Sequence, residues 1–176
     1  MRHIKAFLFF ILLSQNAFAF DPEAEGAIIL FSQLCMNLYP LNQSGVASFL
    51  NQNGVTKLDS KESIKYTIDG KGDAYKITSI TDYVAVIEKD NLCSVFAENI
   101  SIDSGLNGLA NLRSGLSSSP EIIETEEISV KNTMETKHYT YKKTDGTFIM
   151  RISNSYPKIT DGRGLFILSI VSAARQ

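Results

Sequence analysis

Three side chains in this sequence could do chemistry together: the thiols of Cys35 and Cys93 and the imidazole of His138. A thiolate with a histidine base can act as a nucleophile, and thiolates with an imidazole can bind zinc. A structural zinc site normally takes four such ligands, often in closely spaced pairs, which this sequence lacks. Neither cysteine has the basic neighbours that lower a thiol pKa. We therefore predict no metal site, no cofactor and no catalytic residue, with a cysteine–histidine nucleophile as the alternative.

The even number of cysteines favours a disulfide between Cys35 and Cys93 in an exported protein. The bond would close a loop of 58 residues, the difference between position 93 and position 35. Restricting the unfolded chain over such a loop stabilises the folded state by about 4 kcal/mol in the loop-entropy model. We predict this disulfide as a link between an N-terminal helix and the sheet.

The stretch EIIETEE brings together four carboxylates, those of Glu121, Glu124, Glu126 and Glu127. On a strand, Glu124 and Glu126 point to one face, while Glu121 and Glu127 point to the other. Glycosidase chemistry would need two carboxylates across a cleft with one pKa raised, which strand neighbours in solvent do not provide. Two interpretations remain: a solvated sheet edge protected by charge, or a docking surface for a basic protein.

Tyr139 and Tyr141 flank Thr140 on another predicted strand, so both tyrosines point away from the side of His138. Paired tyrosines on a sheet are usually packing, yet tyrosine is also enriched where proteins bind proteins. We interpret His138 as an exposed strand histidine. We predict partner binding by the acidic and aromatic side chains of these two strands, which are Glu121, Glu124, Glu126, Glu127, Tyr139 and Tyr141.

Motifs for other reactions are missing from the sequence. The serines do not lie in the Gly-x-Ser-x-Gly motif of a hydrolase nucleophile. The glycines of GLNGLANLRSGL are not followed by the Gly-Lys-Ser/Thr of a phosphate-binding loop. These absences favour a binding protein over an enzyme.

The first nineteen residues are typical of a secretory signal peptide. They have a basic start, an apolar core over residues 6–13 and a small-x-small cleavage pattern at residues 17–19. The apolar core is too short to span a bilayer, although an N-terminal membrane anchor is the alternative. We predict residues 1–19 as a signal peptide cleaved after Ala19 and residues 20–176 as a single domain in the periplasm, with extracellular release as a second possibility.

The predicted mature chain is mildly acidic. Removing Arg2 and Lys5 from the 17 basic residues leaves 15 against 19 acidic residues, a net charge of −4. Nucleic acids and anionic membrane surfaces attract basic patches, so neither is an expected partner. We also predict no stable membrane insertion, because no later segment is long and apolar enough to cross a bilayer.

The spacing of apolar residues predicts an α+β fold with an antiparallel sheet of about six or seven strands and two or three helices packed on one face. A repeat of three and four residues indicates helices over residues 21–39, 43–52 and 101–116, the last weakened by three glycines. Strand-like runs cover residues 74–80, 83–89, 90–98, 121–132, 134–143, 146–153 and 164–174. Asp145-Gly146 and Asp90-Asn91 are the expected hairpin turns.

Three short patterns, Phe31-x-x-x-Cys35, Val84-x-Val86 and Cys93-x-Val95-Phe96, resemble those of a group of small exported bacterial proteins. Those proteins share two cysteines and have no assigned reaction. In size, compartment and missing catalytic motifs, the chain is also similar to periplasmic immunity proteins, which neutralise antibacterial toxins delivered between cells. This second likeness is an analogy that transfers no residues.

We therefore expect a non-enzymatic periplasmic binding protein, an immunity protein or inhibitor. Its partner would be a cell-envelope-targeting toxin or hydrolase, whose active site it covers. One alternative is a carrier of a lipid or metabolite in an apolar pocket beneath the helices. The other is an enzyme that uses cysteine or glutamate with His138.

Overall fold

The computed structural model describes residues 21–38, 43–52, 54–67, 71–78, 82–88, 92–158 and 162–173. The predicted signal peptide and the Asp90-Asn91 turn lie outside these ranges. The helices are α1 (Pro22–Leu30), its π-helical continuation (Phe31–Leu38), α2 (Gln43–Leu50), α3 (Ser60–Ser63) and α4 (Ile102–Leu116). The strands are β1 (Val55–Lys57), β2 (Asp73–Thr78), β3 (Asp82–Ile87), β4 (Leu92–Ser101), β5 (Ile122–Lys131), β6 (Met134–Lys143), β7 (Phe148–Pro157) and β8 (Arg163–Ser172).

The eight strands form one antiparallel sheet in the order β1-β2-β3-β4-β8-β7-β6-β5. Strands β1 to β4 form one meander, α4 carries the chain to the far edge, and β5 to β8 form a second meander that returns to β4. The predicted α+β class and antiparallel sheet are confirmed. The predicted count of six or seven strands is wrong, because the sheet has eight. The strand that was missed is β1, whose three residues are too few to show an alternating pattern.

Helix α1 begins where the sequence predicts. One carboxylate oxygen of Asp21 accepts the backbone N–H groups of Glu23 and Ala24, at 3.1 and 3.3 Å, and so caps the helix. Pro22 occupies the first turn, where its missing N–H is not needed. The predicted single helix instead changes to a π-helix at Phe31, which the sequence pattern did not indicate.

The predicted disulfide is confirmed. Cys35 in the π-helix is bonded to Cys93 in β4, with an S–S distance of 2.01 Å, and both residues are fully buried. The bond therefore links the N-terminal helical segment to the interior of the sheet.

The main core lies on the face of the sheet that carries Cys93 and Val95, called here the helix face. Helix α4 approaches it closely because a Cβ on Gly105 would lie 2.9 Å from the ring of Phe166. Gly108 likewise allows contact with Ile28 of α1, since a Cβ there would lie 2.9 Å from that side chain. Glycines that lower the intrinsic helix propensity of α4 thus permit its packing.

The opposite face, called here the open face, carries Ser94 and Phe96 of β4. Part of it is covered by the residues after α3, where the ring of Tyr66 meets the ring of Phe96 edge-on at 5.3 Å. The prediction of helices on one face is therefore incomplete: α1 and α4 pack on the helix face, whereas the short α3 segment belongs to the open face.

The second carboxylate oxygen of Asp21 joins α1 to the sheet. It accepts the Ser101 N–H at 2.5 Å and the Arg163 guanidinium at 3.1 Å, while Arg163 also donates to the Asn99 carbonyl at 2.8 Å. Burial alone would raise the pKa of Asp21. The contact with Glu23, the backbone N–H groups and Arg163 outweigh it and lower the pKa below its usual value.

We expect Asp21→Asn to lower the free energy of unfolding by about 1.5 kcal/mol at pH 7, because asparagine keeps the cap but loses charged hydrogen bonds. A lowered folded-state pKa stabilises the protein above the unfolded pKa of about 4, and this stabilisation is lost as the pH falls through the folded value. The difference between wild type and variant should therefore shrink below about pH 4. Urea unfolding from pH 7 to pH 3 measures it, with exposed Glu25→Gln on the same helix as the control. A difference that is constant with pH would contradict the expectation.

Candidate partner-binding surface

The two strands that carry the predicted binding residues are neighbours in the sheet. Their register places three pairs opposite each other: Glu124 with Tyr141, Glu126 with Tyr139, and Glu127 with His138. The predicted alternation is confirmed, since both tyrosines share the helix face with Glu124 and Glu126. Glu121 precedes β5 and lies in the turn after α4, so it is not part of the strand.

Arg113 of α4 contacts both strands on the helix face. Its guanidinium lies over the ring of Tyr139, with Cζ 3.4 Å from the ring centroid, and forms an ion pair with Glu124. Glu126 lies farther from it, at 3.8 Å, and Ser117 donates to Glu124 at 2.8 Å. This network fixes the end of α4 to the β5–β6 hairpin.

The two tyrosines are interior residues, with 3% of Tyr139 and 1% of Tyr141 exposed. Burial raises the pKa of Tyr141, and the neighbouring Glu124 carboxylate raises it further. The Tyr141 hydroxyl has no well-formed hydrogen bond in the structure. Burial would raise the pKa of Glu124, but its hydrogen bonds, that from Arg113 foremost, lower it. The role of these residues in partner binding stays a prediction. Because the two tyrosines are buried, they can contribute only by supporting the exposed residues of the predicted binding surface.

Sequence reasoning missed Arg113. It follows Leu109 by four residues and precedes Leu116 by three, so it lies beside the apolar stripe of the predicted helix. A lone cation in that position is a signal for a carboxylate partner, but the partner strand could not be identified without the strand order.

Strand β5 forms the edge of the sheet, and its outer side has no strand neighbour among the described residues. None of its ten side chains is buried. Ile128 and Val130, which share the helix face with Glu126, are 59% and 50% exposed. The side chains of Glu126, Glu127, Ile128 and Val130, with the outer backbone of β5, are called here the β5 edge.

The hydrogen-bond alternation shows which backbone groups point outward. The Thr144 N–H donates to the Glu121 carbonyl at 3.0 Å, and the same register continues through β5 and β6. Residues in an antiparallel pair alternate between bonding inward and pointing away. Odd-numbered residues of β5 therefore bond to β6, while Glu124, Glu126, Ile128 and Val130 direct their N–H and C=O groups outward.

His138 belongs to a row of hydrogen-bonded polar side chains on the open face. Its Nδ1 lies 2.8 Å from the Ser153 hydroxyl, and the Ser94 and Ser169 hydroxyls are bonded at 2.8 Å in the same row. The prediction of an exposed histidine needs correction, because His138 is half-buried between neighbouring strands. The row is a set of cross-strand pairs that holds the central strands in register.

A groove of about 870 Å³ lies between α1 and α4, and residues of these helices and the π-helix line it, with the cap residue Asp21 at one end. Its apolar lining residues include Ile28, Ile29 and Leu112, with 47% of Ile29 exposed. The groove opens between the helices, whereas the sequence-based alternative placed a pocket beneath them. It has room for a small apolar molecule.

Within the described ranges, there is no group of three or more metal-ligating side chains that could hold an ion, and no helix is long and apolar enough to cross a bilayer. Comparisons of the chain with protein-family models, curated proteins and solved structures found no match.

Proposed function

We propose that this protein is an exported, non-enzymatic binding protein that neutralises a cell-envelope-targeting toxin or hydrolase by covering its active site. The observation that carries the proposal is the β5 edge, where acidic and apolar side chains lie exposed along a whole strand. Large apolar side chains exposed in a row beside charge are typical of interaction surfaces. The disulfide is compatible with an oxidising, exported compartment.

The hairpin that carries this surface is held by contacts to its neighbours. Arg113 ties β5 to α4, and β6 is paired along its length with β7. A surface ordered before binding loses less conformational entropy on association, which favours tight inhibition. The carboxylates of Glu126 and Glu127 would attract a partner whose catalytic cleft is basic.

The test is capture by the oxidised protein of its partner from envelope extracts, followed by an activity assay of each captured enzyme. We expect a partner whose activity falls to near zero at a one-to-one ratio. Reversing charge with Glu126→Lys and Glu127→Lys should weaken binding at least about tenfold, because like charges then meet across the interface. Exposed Glu25→Lys on α1 is the matched control and should bind normally. Captured enzymes that keep full activity would contradict the proposal.

The groove between α1 and α4 favours a second candidate, a carrier of a small apolar ligand. Native mass spectrometry of the same protein discriminates the two functions. A retained lipid or metabolite, displaced when Ile29 is replaced by a bulkier side chain, would support the carrier.

A further inference from the structure

We propose that the β5 edge binds its partner by strand addition, and that the added segment is extended and basic. This inference rests on the proposed function and names the partner's chemistry. The segment carries a lysine or arginine opposite Glu126 and apolar side chains opposite Ile128 and Val130. It would become a ninth strand of the sheet.

The backbone supplies the first requirement. Four residues of β5 direct their N–H and C=O groups outward, and none of these residues has a strand partner on that side in the described structure. An extended peptide satisfies such a row by main-chain hydrogen bonds, which give affinity with little dependence on sequence. The length of β5, ten residues, is sufficient for a full ladder.

The side chains supply specificity. The residues with outward backbone groups also point their side chains to the helix face, so the partner's opposing side chains lie on that face. Glu124 is already paired with Arg113, whereas the Glu126 side chain is 41% exposed and open to a second cation. Beyond it, Ile128 and Val130 form an apolar pair that a partner's valine or isoleucine side chains would cover.

A second copy of the chain is the competing occupant. In the two symmetric antiparallel registers that pair most of the strand, either Glu126 or Glu127 lies opposite its own copy. Like charges directly opposite each other destabilise strand pairing. A shorter overlap centred on Ile128 avoids this but pairs only residues 125–131. Charge therefore favours a basic segment of another protein.

The experiment uses the oxidised protein and a synthetic peptide, Thr-Val-Thr-Val-Thr-Lys-Thr, which places its valines opposite Val130 and Ile128 and its lysine opposite Glu126. Amide hydrogen exchange is followed by NMR. We expect the amides of Glu126, Ile128 and Val130 to exchange fast in the free protein and to become protected when the peptide binds. The control peptide has glutamate in place of lysine and should bind at least about tenfold more weakly.

Two variants separate backbone pairing from side-chain contact. Ile128→Pro removes an outward N–H and leaves the β5–β6 ladder intact, as proline is tolerated on that side of an edge strand. It should weaken peptide binding at least about tenfold, while Ile128→Val, which keeps the N–H, should change it less than about threefold. Far-ultraviolet circular dichroism checks the fold of both variants. If the proline variant unfolds, Glu126→Lys serves as an independent test, because it should also weaken peptide binding.

Peptide binding without protection of the outward amides would overturn the inference, as would the absence of saturable binding at peptide concentrations up to about 1 mM. A dimer in sedimentation analysis that is lost in Ile128→Pro would also overturn it, in favour of self-pairing. The outcome for the function is separate. If a captured toxin is inhibited equally by wild type and Ile128→Pro, the proposed function stands and strand addition fails.

Discussion

Replacing both cysteines with alanine is expected to lower the free energy of unfolding by about 4 kcal/mol. The disulfide joins Cys35 to Cys93 across 58 positions, and without it the unfolded chain regains the entropy of an open loop. Because stability of a domain is usually about 5–15 kcal/mol, this is a large fraction of the total. Equilibrium unfolding in guanidinium chloride measures the difference.

Chemical reduction of the wild-type protein is the control, because it breaks the disulfide but keeps both cysteine side chains. The double variant and the reduced wild type should unfold at similar denaturant concentrations, since both lack the crosslink. Removing the sulfur atoms from fully buried positions adds a smaller loss of packing in the variant alone. A double variant as stable as the oxidised protein would show that the crosslink restricts the unfolded chain very little.

Arg113→Met is expected to lower the free energy of unfolding by about 2–3 kcal/mol. Methionine keeps most of the packing volume over Tyr139 but removes the cation that pairs with Glu124. That carboxylate, whose side chain is 19% exposed, then keeps the Ser117 hydroxyl but loses its opposite charge. This loss of stability is smaller than that expected for a fully buried ion pair, because water still reaches the site and screens the charges.

A double-mutant cycle tests whether the loss comes from the ion pair. In the Glu124→Gln background, Arg113→Met should lower stability by only about 1 kcal/mol, because the nearest carboxylate is gone and only the more exposed Glu126, at 3.8 Å, loses its cation. Arg113→Lys is the conservative control, which keeps the charge and loses the planar stacking on the ring. Equal losses in both backgrounds would assign the effect to packing on Tyr139 alone.

The features that sequence predicted best are those set by near neighbours in the chain. Asp21 caps α1 because a carboxylate two residues before the bonded N–H needs no distant partner. Gly146 forms the β6–β7 turn with a φ of +88°, a conformation that glycine adopts without strain. The disulfide was predictable because only two cysteines are present in a chain that carries an export pattern.

Features that depend on strand order were only partly predictable. The run of carboxylates in EIIETEE favours a sheet edge, and β5 forms one. The pattern does not show which strand pairs with β5 or that Ile128 is left exposed. Likewise, the stacking of Arg113 on the ring of Tyr139 depends on where α4 lies relative to β6, which the sequence of neither element shows. The π-helix was missed because its buried residues also fit ordinary helical spacing.

The return of β8 to the centre of the sheet has a consequence for the order in which the protein can assemble. Strands β1 to β4 can form a meander from contiguous sequence, but the second neighbour of β4 is β8, whose Val171 pairs with Leu92. Pairing β4 with β8 joins residues that are far apart in the sequence, so a long loop must close. This step is slower than the formation of a hairpin. Both cysteines lie in the half of the chain that precedes α4, so the crosslink belongs to the segment that emerges first from a ribosome or a translocation channel. The crosslink can therefore form before β8 is available to pair with β4.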